Sequence, residues 1–257
     1  MNENTQILAG RVILVTGGGY GIGRTAALTY ARAGATVILL GRTLDALNDT
    51  YDLIEAEGLP QAAVLQFDLE EKDEARYQQL ATVIRENFGH LDGVLMNAGV
   101  LGQRTMIDNY HWETWQKVMQ INVNGQFALI KHLLPLLHDA PNDASVVFTS
   151  SSVGREGRAY WGAYSVSKFA TEGLMQVLAQ ELENTSNIRV NSLNPGGTRT
   201  SMRAMAYPAE NPITVPEADS IMAAYLHLMS PASISTHGQA LDARELSAAL
   251  SGDSANA

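Results

Sequence analysis

Cysteine is absent from the 257 residues. That excludes disulfides, thiolate nucleophiles and Cys-ligated metals, so the fold must stand on its own core. Basic charge is scarce as well: 17 Lys and Arg against 27 Asp and Glu give a formal net charge of −10. No local basic patch offsets it, and such a surface repels phosphate backbones and anionic lipid, so no nucleic-acid or membrane partner is expected. Long apolar runs are missing too. Segments such as Val37-Ile38-Leu39-Leu40 are strand-sized, far short of the roughly 20 residues that span a bilayer. The start, Met1-Asn2-Glu3-Asn4-Thr5-Gln6, is polar and has no basic stretch leading into an apolar run, so it does not read as a secretory signal. A cytoplasmic protein is expected. His90, His111, His132, His138, His227 and His237 show no ligand spacing, and no metal is expected.

What is present is apolar content, 46% of the chain, sufficient for a large core in one α/β domain. Short β-branched runs alternate with stretches of helical period, the pattern of βαβ units in a parallel sheet covered on both faces. The fold class is therefore a doubly wound parallel sheet, a Rossmann fold of about seven strands. Strands are predicted at Val12–Thr16, Thr36–Leu40, Ala63–Phe67, Gly93–Met96, Ser145–Thr149 and Ile188–Leu193, with a short last one at Gln239–Leu241. Helices are predicted at Ile22–Ala33, Leu44–Glu57, Lys72–Phe88, Trp112–Leu137 and Ala163–Glu183, and a final one runs from Pro216 to Met229. Pro208, Pro212 and Pro216 make residues 200–216 an irregular insertion. The small, polar tail 246–257 is expected to fray.

Directly after the first strand comes Thr16-Gly17-Gly18-Gly19-Tyr20-Gly21-Ile22-Gly23. A glycine at the strand end permits the tight turn, Gly21 lets backbone N–H groups approach a pyrophosphate, and Gly23 permits close helix–strand packing. The GxGxxG fingerprint is not matched, because Ile22 stands where its last glycine belongs. An NAD-selective site places an acid at the end of the second strand, whereas here Leu40-Gly41-Arg42 places a guanidinium suited to a 2′-phosphate. NADP(H) is expected as cofactor over NAD(H). The competing reading of Arg42 is a solvated cap paired with Asp45.

Tyr164 and Lys168 are i,i+4 neighbours on a predicted helix, so they share a face. A tyrosine titrates near 10, and an ammonium nearby lowers that value toward the range of a useful base. Upstream, the fifth strand ends in Thr149-Ser150-Ser151, at the strand edge where α/β proteins bind ligands. A Ser151 hydroxyl there can donate to the oxyanion of a carbonyl.

Taken together, these residues resemble the short-chain dehydrogenase/reductase family from residue 11 to about 242. Thr16 to Gly23 look like its TGxxxGxG, which implies Gly17, Gly19, Tyr20, Gly21 and Ile22 as cofactor contacts. Asp68, with Leu69, is similar to its adenine-contacting acid, and Asn97-Ala98-Gly99 to its NAG. Asn122 matches the asparagine that holds a proton-relay water; Ser151, Tyr164 and Lys168 match the remaining catalytic positions. Pro195, Gly196, Thr198 and Thr200 fall in a segment like PGxVxT, which grips the nicotinamide carboxamide. Phe148–Gly157 and Asn194–Met202 resemble the bacterial YciK-type oxidoreductases more narrowly.

The resemblance implies hydride transfer between NADP(H) and a small carbonyl or alcohol, with Tyr164 as general acid/base, in a homodimer or homotetramer. Thr198 departs from the usual valine, and the DGG after the last strand is missing. Val153, Trp161, Met202, Met205 and Tyr207 are candidate pocket walls, equally readable as core filling. Three rivals remain at this point. A non-catalytic NADP(H) sensor or scaffold has little reason to keep four catalytic residue types. A methyltransferase expects an acid where Arg42 stands. A 3-oxoacyl-carrier reductase needs basic docking residues where Pro141–Ala144 and Glu181–Thr185 are neutral or acidic.

Overall fold

The computed structural model describes residues 6–252. Strands β1 (Val12–Thr16), β2 (Thr36–Gly41), β3 (Ala63–Gln66), β4 (Gly93–Met96), β5 (Ala144–Thr149), β6 (Ile188–Asn194) and β7 (Ala240–Asp242) form one sheet. Their order is β3-β2-β1-β4-β5-β6-β7, every pairing parallel. The strand order reverses between β1 and β4, which opens a crevice at the carboxyl edge of the sheet.

Side-chain alternation splits the core in two, as strand geometry requires. Ile13, Val15, Val37, Leu39, Leu95 and Val147 pack on one face with Tyr30, Tyr225 and Leu228. Leu14, Ile38, Leu40, Val94, Met96, Val146 and Phe148 pack on the other with Leu129, Leu133, Met175 and Leu178. The covering helices are α1 (Gly21–Arg32), α2 (Leu44–Ala56), α3 (Glu74–Phe88), α4 (Trp112–Met119), α5 (Gly125–His138), α6 (Gly162–Leu182), α7 (Ser201–Ala206), α8 (Met222–Met229) and α9 (Ala243–Ser251). None among the described residues is long and apolar enough to cross a membrane.

The structure departs from the sequence reading in four places, the first being the insertion read as irregular at 200–216, which carries the helix α7 capped by the Thr200 hydroxyl. The helix predicted across Trp112–Leu137 is broken by a π turn at Gln120–Asn124. There the buried Asn122 amide bonds both main-chain groups of Val100 and the Ser167 hydroxyl, contacts that a side chain in an uninterrupted α-helix would face differently. Pro216 does not open a regular helix; a 3₁₀ turn at Ala218–Ile221 leads into α8. Where the tail is expected to fray from residue 246, α9 runs to Ser251. Ala243, Leu246 and Ser247 face inward, and the Ser247 hydroxyl accepts from the Ala224 N–H at 3.1 Å. Residues 1–5 and 253–257, which carry most of the polar start and the end of that tail, lie outside the described residues.

Candidate active site

The glycine loop joins β1 to α1 with no room for side chains. Gly17 holds φ +70°, and a Cβ on Gly23 would lie 2.2 Å from the Gly17 carbonyl oxygen. The start of α1 has no side-chain cap and no acid in its first turn. Its first amides are free to receive an anion, which fits a pyrophosphate at a helix N-terminus. Arg42 stands at the mouth of the same crevice. It is in none of the ion pairs found among the described residues, so the alternative pairing with Asp45 does not form; the neighbouring Asp49 pairs with Arg24 instead.

Thr16 locks the next layer. Its hydroxyl accepts from the Asn97 and Ala98 N–H groups at 2.8 and 2.9 Å and donates to the Leu95 carbonyl. The Asn97 amide returns a bond to the Thr16 carbonyl. The Asn97-Ala98-Gly99 turn is thereby fastened to β1.

At the end of β5, Ser151 is extended, and it lines the same groove as the Tyr164 phenol. Tyr164 and Lys168 lie one turn apart near the start of α6. The Lys168 ammonium donates to the Thr149 carbonyl at 2.6 Å and sits 5.7 Å from the Tyr164 ring centroid. Phenol, ammonium and hydroxyl thus share one end of the site. They open into a groove of about 500 Å³ that runs along the carboxyl edge of the sheet.

Asp68, Leu69, Ala98, Gly99, Pro195, Gly196, Thr198 and Thr200 line this groove with Gly17, Gly19, Tyr20, Gly21 and Ile22. Val153, Trp161, Met202, Met205 and Tyr207 line it beyond Tyr164. Asn122 does not. Its side chain is fully buried behind the groove, with both amide hydrogens taken by Val100 and Ser167.

A family model described as short chain dehydrogenase matches residues 11–211. The chain belongs to the short-chain dehydrogenase family. It is 51% identical over 239 residues, 93% of each chain, to the uncharacterized oxidoreductase YciK of Escherichia coli K12. Among solved structures, a short chain dehydrogenase of Shigella flexneri 2a complexed with NADP superposes with TM-score 0.90 at 51% identity, covering 93% of this chain and 99% of that one. One from Escherichia coli CFT073 complexed with NADPH gives TM-score 0.90 at 50% identity and the same coverage.

Burial dominates the electrostatics of this dehydrogenase's site. It pushes Tyr164 up to about 12, with the neighbouring Ser151 hydroxyl drawing the other way. The sequence argument expects the ammonium to pull the phenol down, but Lys168 is itself 3% exposed. Burial brings its pKa down to about 8, against the opposing pull of Glu172.

Sequence reasoning missed Glu172. It is 6% exposed, accepts from the Ser150 and Ser192 hydroxyls at 2.6 Å each, and accepts from Arg155 at 2.9 Å. Arg155 continues to Asp242 and to the Leu241 carbonyl, so the loop after β5 is tied to β6, β7 and α6 by one buried polar network. The available signal was register: Glu172 lies one turn past Lys168, on the face carrying Tyr164 and Lys168.

Proposed function

We propose that the protein is an NADP(H)-dependent oxidoreductase acting on a small carbonyl or alcohol, with Tyr164 as general acid/base. The observation that carries this is the convergence of Ser151, Tyr164 and Lys168 at one end of a groove whose other end is a free helix N-terminus and an unpaired Arg42. Two similar dehydrogenases were crystallised with NADP and NADPH, which supports the cofactor assignment. Bound NADP(H) supplies the hydride donor or acceptor.

The first-turn amides of α1 would hold the pyrophosphate, and Arg42 the 2′-phosphate. Asp68 and Leu69 would meet the adenine, and Pro195, Gly196, Thr198 and Thr200 the carboxamide. Lys168 would hold the ribose hydroxyls. During reduction Ser151 donates to the substrate oxygen as charge develops there, and Tyr164 then gives it a proton. A phenol that burial keeps protonated suits that direction. Asn122 acts in support, tying the Val100 loop to α6 at the π turn, and would hold a relay water there. Exposed Val166, Phe169 and Val177 on α6, with Phe127 on α5, support a homodimer or homotetramer.

The experiment is consumption of NADPH against NADH over a panel of ketones, aldehydes and diketones. Turnover of some member with NADPH favoured is expected. Tight NADPH binding with no turnover on any member would instead indicate a non-catalytic NADP(H) sensor.

A further inference from the structure

The far end of the groove differs in charge from the rest of this acidic molecule. Beyond Tyr164 its charged lining residues are Arg158 and Arg203, and no carboxylate lines it there. Arg203 is already neutralised by a two-pronged pair with Glu210 at 2.7 and 2.6 Å. Arg155, on the same loop as Arg158, is likewise taken by Glu172 and Asp242. Arg158 has no such partner: among the described residues it makes no ion pair, even with Glu156 two positions away.

A second guanidinium, not itself part of the groove lining, packs on the aromatic wall at this end. Arg104 lies 4.4 Å from the Trp161 ring centroid and 5.0 Å from that of Tyr207. One of its nitrogens donates to the Ala206 carbonyl, and it too makes no ion pair among the described residues. Stacking on two rings restricts the guanidinium and strips water from its faces while its edge keeps donors free. The Trp161 main-chain N–H closes a turn on the Arg158 main-chain carbonyl, and the Trp161 ring carries Arg104. That ring is 5.8 Å from the Tyr164 ring.

The segment between them is strained. Tyr160, between Arg158 and Trp161, is the sole non-glycine residue with positive φ among the described residues, at +70°. A half-exposed tyrosine in that sparsely populated conformation persists where the surrounding structure or a function holds the backbone so.

We infer that Arg158 receives an oxyanion group of the substrate, a carboxylate or a phosphate, with Arg104 adding positive charge on the aromatic wall, so that the natural substrate is an anionic carbonyl compound or its alcohol. The apolar wall between, formed by Leu101, Val153, Trp161 and Ala206, takes the carbon chain linking that anion to the reacting carbon. This rests on the oxidoreductase reading for the reacting end, while the anion site itself can be tested without turnover.

The test has two arms on the NADPH-loaded protein. Oxo acids of increasing chain length are each paired with their methyl esters, and dihydroxyacetone phosphate is paired with dihydroxyacetone. For each pair, kcat/KM and calorimetric affinity are measured in the native protein and in Arg158→Gln and Arg104→Gln, with NADPH affinity and Tm as controls. The anionic member should exceed its neutral partner by roughly tenfold or more in one arm, the range of a charge-assisted contact. The preferred arm tells carboxylate from phosphate. Arg158→Gln should bring the ratio toward one, and added salt should erode it.

Reduction of neutral ketones with no anionic preference in either arm would overturn the anion site and leave the oxidoreductase reading standing. A preference that survives in both variants would also overturn it. Anion binding that Arg158→Gln removes, with no probe reduced, would confirm the site and remove the reductase reading instead.

Discussion

The two ends of the groove are made of different material. The end at β1 and α1 is backbone: Gly17, Gly19, Gly21 and Gly23 allow main-chain N–H groups to face the crevice. The end beyond Tyr164 is side chain, with Trp161, Met202, Met205, Tyr207 and Arg158 brought in by separate segments. A backbone site tolerates no change of shape and says little about its ligand beyond charge. A side-chain site can be rebuilt residue by residue, so specificity resides there.

The largest effect that would break this contrast is catalytic. Tyr164→Phe removes one oxygen from the side-chain end and should lower NADPH-dependent turnover by roughly 10²–10⁴-fold with NADPH affinity unchanged, read by steady-state kinetics beside a fluorescence titration. If NADPH affinity fell in parallel, the two ends would not be separable.

Gly23→Ala probes the opposite end. The added Cβ would lie 2.2 Å from the Gly17 carbonyl oxygen and 2.7 Å from the Asn97 amide nitrogen, so the loop must move. We expect NADPH affinity to fall on the order of 100-fold or Tm to drop by several degrees. A variant that binds NADPH and melts normally would contradict the packing argument.

A smaller change sharpens the contrast at the one side chain that matters on the backbone end. Arg42→Ala should cut the preference for NADPH over NADH by roughly 10-fold or more, the loss of a charge-assisted contact, measured as the ratio of the two dissociation constants. An unchanged ratio would return Arg42 to the solvent.

The smallest effect lies in pH. Lys168 carries its charge below its folded value of about 8 and loses it as pH rises through that value. Its hold on the cofactor should therefore be full below about pH 8 and weaken a few-fold above it, in a titration of NADPH affinity. Glu172 opposes the burial that lowers Lys168, so Glu172→Gln should move the onset to lower pH. An onset unmoved or moved upward would mean that Glu172 only packs.

The same division governs what the sequence makes legible. The backbone end could be read directly, because Gly17 and Gly23 are dictated by local geometry and Arg42 by its place at a strand end. Tyr164 and Lys168 were legible through helical spacing, and Ser151 through its place at the strand edge. Arg104 and Glu172 were not: they act through partners about 20 to over 100 residues away, Ser150 and Ser192 for Glu172 and Ala206 for Arg104, and no local period encodes such pairs. The π turn at Asn122 escaped for the same reason, since Ser167, 45 residues on, fixes it. Helix α9 was missed differently. Its inward residues at Ala243, Leu246 and Ser247 follow a helical period, but Ala243 is small, Ser247 is polar, and their burial depends on α8.

The most direct test uses NADPH deuterated at both C4 positions, with product isotope content read by mass spectrometry for native protein and Tyr164→Phe. The account predicts one deuterium on the carbinol carbon of product formed by the native enzyme, and product from the variant only at a rate reduced by orders of magnitude. Product without that deuterium, or equal rates from the two proteins, would contradict it.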